Sequence, residues 1–92
     1  MLNQLSRGNK FQAQAEQSIL EALDSAQSAH QSVIQAQIGL TMQEIEYAQS
    51  QIHNALHRIY QAQQYISPES GQLSAQLQAA HQLMLQEYQL FQ

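Results

Sequence analysis

Four histidines, His30, His53, His57 and His81, are the side chains best suited to chemistry in this chain. His53 and His57 are four apart, so on a helix their rings share one face. Two imidazoles at that spacing can hold a transition metal, with Glu46 one to two turns away on the same side. His81 joins them if a later helix packs alongside in regular register. The bland reading is that all three are flanking polar residues on Gln-rich helices. The Glu that a zinc-protease motif carries between its two histidines is missing. His53, His57 and His81 therefore stand as metal-ligand candidates, with no metal site assigned. His30 falls on an apolar edge with Leu23 and Ile34 and reads as a hydrogen-bonded core histidine. A phosphorelay histidine would have a basic residue soon after it, and only His57 has one, Arg58.

The carboxylates Glu16, Glu21, Asp24, Glu44, Glu46, Glu69 and Glu87 are scattered. A catalytic acid pair needs two carboxylates in contrasting environments, and a di-iron bundle needs an inward Glu-x-x-His. Neither pattern occurs, and no nucleophile elbow accompanies the serines. No catalytic or cofactor-binding residue, no cofactor and no enzyme activity are expected. A surface for other proteins is the stronger candidate. Leu83 and Leu90 are seven apart and point away from the Leu77-Met84-Phe91 stripe. Leu20 and Ile34 widen the stripe of the first helix, and Tyr47 and Tyr65 lie on the outer face of the second. Single exposed apolar residues are ordinary, but several together mark an interface with a partner or a second copy.

These residues are carried on a strongly helical pattern. Ile38, Ile45, Ile52, Ile59 and Ile66 recur every seven residues, beside Ala48, Ala55 and Ala62. Ala15, Ala22, Ala29 and Ala36 repeat the interval earlier, beside Ile19, Ala26, Val33 and Leu40. Seven residues are close to two helical turns, so each series lines one side of a helix. Helices are expected over about 10–38, 42–66 and 68–91, with residues 1–8 a flexible N-terminal segment. Asn9 is the expected N-cap of the first, and Gly39 its left-handed C′ residue. Thr41-Met42-Gln43-Glu44 is a capping-box pattern, with Leu40 and Ile45 placed for a hydrophobic staple. A continuous helix through Gly39 is the rival reading. Gln49 and Gln63 interrupt the seam of the second helix, where each either specifies register or sits at the edge. Ser67-Pro68-Glu69 reads as the N-cap and first turn of the third helix. Leu73, Leu77, Ala80, Met84, Tyr88 and Phe91 form its inner face. Short links make this an all-α, antiparallel up-down-up three-helix bundle in one domain over 1–92.

Composition narrows the function classes. Charged residues are 11% of the chain, against about 25% in typical domains, and glutamine, 21 of 92 residues, takes their place. Glutamine is a good helix former, which separates this chain from a disordered polar tract. The net charge is −4, with only Arg7, Lys10 and Arg58 positive. No basic face is available to replace phosphate counterions or to meet an anionic membrane, so neither nucleic acid nor membrane is an expected partner. The chain has no cysteine, no apolar leader at its start and no stretch of about 20 apolar residues. A cytoplasmic location is expected.

Two resemblances can be read from the residues. Tyr47-Ala48-Gln49-Ser50-Gln51, with Gln72-Leu73-Ser74-Ala75-Gln76-Leu77-Gln78, resembles small Gln-rich helical proteins of unknown function from low-GC, spore-forming Gram-positive bacteria. The likeness spans about residues 40 to 92. It implies a cytoplasmic protein without assigned activity and transfers no site residues. The length and the Ile38-Gly39-Leu40 bend are similar to the helical-hairpin substrates of type VII secretion. The tryptophan of their bend motif is absent here, and an exported hairpin is kept as an alternative. The expectation drawn from the whole chain is a non-enzymatic interaction or self-association module.

Overall fold

The computed structural model describes residues 2–66 and 71–91, with side chains from residue 13 onward. Three helices follow in order: α1 Leu2–Gly39, α2 Met42–Gln63 and α3 Gly71–Leu90. Each packs on both others, and α1 and α2 share the most extensive interface. The all-α three-helix bundle expected from the heptad spacing is therefore the fold.

The core follows that spacing. On α1 the buried residues are Ile19, Ala22, Ala26, Ala29, Val33 and Ala36, at alternating steps of three and four. On α2 they are Ala48, Ile52, Ala55, Ile59 and Ala62, with the same alternation. Of the thirteen buried apolar residues described, seven are alanine. A methyl group adds little bulk, so α1 and α2 come close together, and the buried volume falls mainly to Ile19, Val33, Ile52, Ile59, Leu77 and Met84. Each of these large side chains contributes about 1.5–3 kcal/mol by leaving water.

The α1–α2 turn is two residues long, and the rival continuous helix does not form. Thr41 caps α2: its Oγ1 accepts from the Glu44 amide at 3.1 Å and donates to Glu44 Oε1 at 2.6 Å. The left-handed residue is Leu40, with φ of 58°, and not Gly39, which ends α1 in helical conformation. A Cβ at Gly39 would meet the Glu44 carboxylate, the flexible end of that side chain, which would have to swing away from Thr41 to make room. Leu40 is 74% exposed, so the expected staple onto Ile45 buries little of it.

Two helix limits differ from the sequence expectation, and a third falls outside the described residues. α1 starts at Leu2, so Asn9 is interior to the helix and not its cap. Leu, Gln and Arg around it are good helix formers, and one Gly8-Asn9 step does not outweigh them. α2 ends at Gln63, and Gln64, Tyr65 and Ile66 close with bonds to residues three back, which is how a helix end tightens and satisfies its last carbonyls. Gly71, the first described residue of α3, has φ of +45°, a conformation glycine takes freely. The expected cap at Ser67, Pro68 and Glu69 lies outside the described residues.

Candidate interaction surface

The imidazoles are dispersed by the fold. His53 and His57 are exposed on α2, as their spacing implies. His53 meets the ring of Tyr88 edge-on at 5.3 Å, and His81 meets Tyr60 in the same way at 5.3 Å. His81 Nδ1 also lies 3.2 Å from Gln63 Nε2, while its Nε2 is buried without a partner. His53 and His81 thus each pack on a different tyrosine, His57 lies exposed, and no group of three or more potential ligands is placed to hold a metal among the described residues.

Gln63 and Gln49 turn out to face α3. Gln49 Nε2 donates to the Phe91 carbonyl at 3.2 Å. The two glutamines stand 14 residues apart and hold α3 at two points, Phe91 and His81. Of the two readings left open for them, the one that specifies register has the hydrogen bonds in its favour.

His30 is hydrogen-bonded as expected, but it is half-buried and not a core residue: its side chain is 43% exposed. Its Nδ1 bonds Glu87 Oε1 on α3. Glu87 is 5% exposed, and its Oε2 has no partner. Sequence reasoning passed over Glu87 as one of several scattered acids, while Tyr88, which it put on the inner face, is partly buried against the core. The series Leu73, Leu77, Ala80, Met84, Glu87, Phe91 keeps the three-and-four alternation unbroken and could have found it.

The His30–Glu87 bond fixes which sides of α1 and α3 adjoin. His30 belongs to the series Leu20, Leu23, Gln27, His30, Ile34 along one edge of α1. On α3, His81 and Tyr88 face α2 through their ring contacts, which leaves Leu83 and Leu90 on the edge toward α1. α1 and α3 run parallel, so Leu90, three beyond Glu87, is nearly level with Ile34, four beyond His30. Leu20, Ile34, Leu83 and Leu90 are all exposed; Ile34, Leu83 and Leu90 border one α1/α3 groove, while Leu20 lies farther back on α1, among Glu16, Gln17, Glu21 and Asp24. The strip continues past Ile34 to Ile38, one turn on, and into the turn at Leu40 and Met42. Ile38 and Met42 are 78% and 71% exposed. Sequence reasoning missed this end because Ile38 and Met42 fit the heptad series of α2 and were read as seam residues. Ile38 in fact ends α1 on its outer side. Tyr47 on α2 and Tyr65 just beyond its end are exposed, away from the groove.

The remaining electrostatics are slight. Arg58 lies 3.7 Å from Glu21, both half-exposed, an arrangement worth under about 1 kcal/mol. No helix among the described residues is long and apolar enough to cross a membrane. Compared with protein-family models, curated proteins and solved structures, the chain matches none.

Proposed function

We propose that the chain is a non-enzymatic protein-interaction module that docks an apolar helical face of another protein in the α1/α3 groove. The observation that carries this reading is the grouping of exposed apolar side chains. Leu83, Leu90, Ile34, Ile38, Leu40 and Met42 are exposed in one region, where scattered singles would be ordinary. An apolar strip with few charges has the make-up of an interface core. His30, half-exposed within it, supplies a polar point that fixes orientation.

The test is a Leu83→Glu/Leu90→Glu double variant, compared with wild type for proteins retained from its source cells and for urea unfolding. Both positions are exposed, so the unfolding free energy should stay within about 0.5 kcal/mol of wild type. A specific partner should be retained by wild type and lost by the variant. Identical binding profiles for the two proteins overturn the reading.

A further inference from the structure

The α1/α3 groove holds a single charged group. From Ser25 to Gln43, through the last turns of α1 and the bend, the chain has no Asp, Glu, Lys or Arg, and along α3 Glu87 is the only one. Glu87 is buried and meets the groove through His30, whose Nδ1 it bonds. An ionised carboxylate only accepts, so Nδ1 carries the proton, and Nε2 of the neutral ring is left as an acceptor. Nε2 bonds no described residue and, unlike Glu87 Oε2, is not buried. The carboxylate thus holds the inner edge of a half-exposed ring, and the Nε2 edge faces outward.

Apolar side chains surround that edge. Leu23 and Ile34 lie on the same side of α1 as His30, and Leu83 and Leu90 lie one turn before and after Glu87 on α3. Leu23 is partly buried against the core, and the other three are exposed. From Leu23 to Ile38, α1 rises about 22 Å, or roughly four turns, and His30 stands near the middle.

A wholly apolar helix laid over this strip would take water from Nε2 and from the negative charge of the pair and return nothing, which is costly on both counts. A partner's carboxylate there would repel. A guanidinium returns both a hydrogen bond and a positive charge, and it is more weakly hydrated than an ammonium. We propose that the occupant is an amphipathic helix of another protein whose apolar stripe is broken near its middle by an arginine. The arginine donates to His30 Nε2, and the apolar residues one turn to either side cover Ile34, Leu83 and Leu90. The net charge of −4 favours a partner of the same sign. This inference rests on the docking reading above and adds the chemistry of the partner.

The test uses helical peptides of about 15 residues, the length at which an isolated helix begins to form. They are built of Ala and Gln with a leucine stripe and carry Arg, Leu, Gln or Glu at its centre. Binding to the full chain is read by fluorescence anisotropy at about pH 8, above the ordinary histidine range, and at about 0.15 M salt, which screens distant charges. The Arg peptide should bind at least about tenfold tighter than the other three. A peptide of the same composition with Arg on its opposite face should bind no better than the Leu peptide. His30→Leu, at a half-exposed position, should fold by circular dichroism and erase the preference for Arg. Leu83→Gln/Leu90→Gln should weaken all four. Equal binding of the Arg and Leu peptides, tighter binding of the Gln or Glu peptide, or a preference that survives His30→Leu overturns the arginine contact and leaves the docking reading intact. No binding of any peptide, or binding indifferent to Leu83→Gln/Leu90→Gln, overturns the docking reading together with it.

Discussion

Leu40 holds a backbone conformation that its type disfavours, with φ of 58°. A side chain beyond glycine in that region crowds the following carbonyl, at about 1–2 kcal/mol. Leu40 recovers little of this in the fold, being 74% exposed. Leu40→Gly should therefore raise the unfolding free energy by about 0.5–1 kcal/mol, the strain relief outweighing the extra freedom of the unfolded chain. Urea titration reads this directly, and an unchanged midpoint would mean the turn relaxes around leucine without strain. The bend itself was legible in Gly39 and the Thr41–Glu44 cap. The residue that turns left-handed was not, because Gly39 is the conventional choice and the structure gives that conformation to Leu40.

At the scale of elements, the alanine rows set how closely α1 and α2 approach. Ala29 and Ala55 are fully buried on the two facing helices. Neither site has room for three more carbons, so Ala29→Leu or Ala55→Leu should destabilise by about 1–3 kcal/mol, although leucine is the more hydrophobic residue. Thermal unfolding checks it, with Ala13→Leu, at an exposed position, as the control that should change little. These rows were visible in the seven-residue spacing, because helix geometry converts that spacing into one face whatever the tertiary context. The helix ends were less visible. Asn9 has the composition of a cap but lies inside a run where helix formers outweigh the single Gly8-Asn9 step.

The whole molecule joins its first and third helices partly through a polar pair. Glu87 is buried with Oε2 unpartnered, on a position of α3 that the heptad reserves for an apolar residue. Facing it is His30 from α1, while on α2 exposed His53 packs on the neighbouring Tyr88 ring. The α2 core residues near this height, Ile52 and Ala55, are apolar. Burying an incompletely paired acid costs more than burying a hydrocarbon of similar size. Glu87→Leu should thus stabilise the fold by about 1 kcal/mol, with His30, half-exposed, turning to water. A loss of stability in urea would show the pair to be net favourable. The retained pair fits a role in specifying how α3 sits on α1, as polar core positions do elsewhere.

Several features of this protein were determined by sequence alone. Alternating three-and-four spacing determined that it is helical, which faces are buried on α1 and α2, and that Leu20, Ile34, Leu83 and Leu90 lie outside the core stripes. Local periodicity suffices for these, since each depends on one helix at a time. Tertiary structure decided which outer edges adjoin. The docking of α3 places Leu83 and Leu90 beside the Ile34 edge of α1, pairs His30 with Glu87, and sets His53 against Tyr88 and His81 against Tyr60. It also decided that α1 runs past the bundle. Those outcomes depend on the relative rotation and offset of two helices. Rotation and offset follow from the summed packing of all three, which no single stretch of sequence encodes.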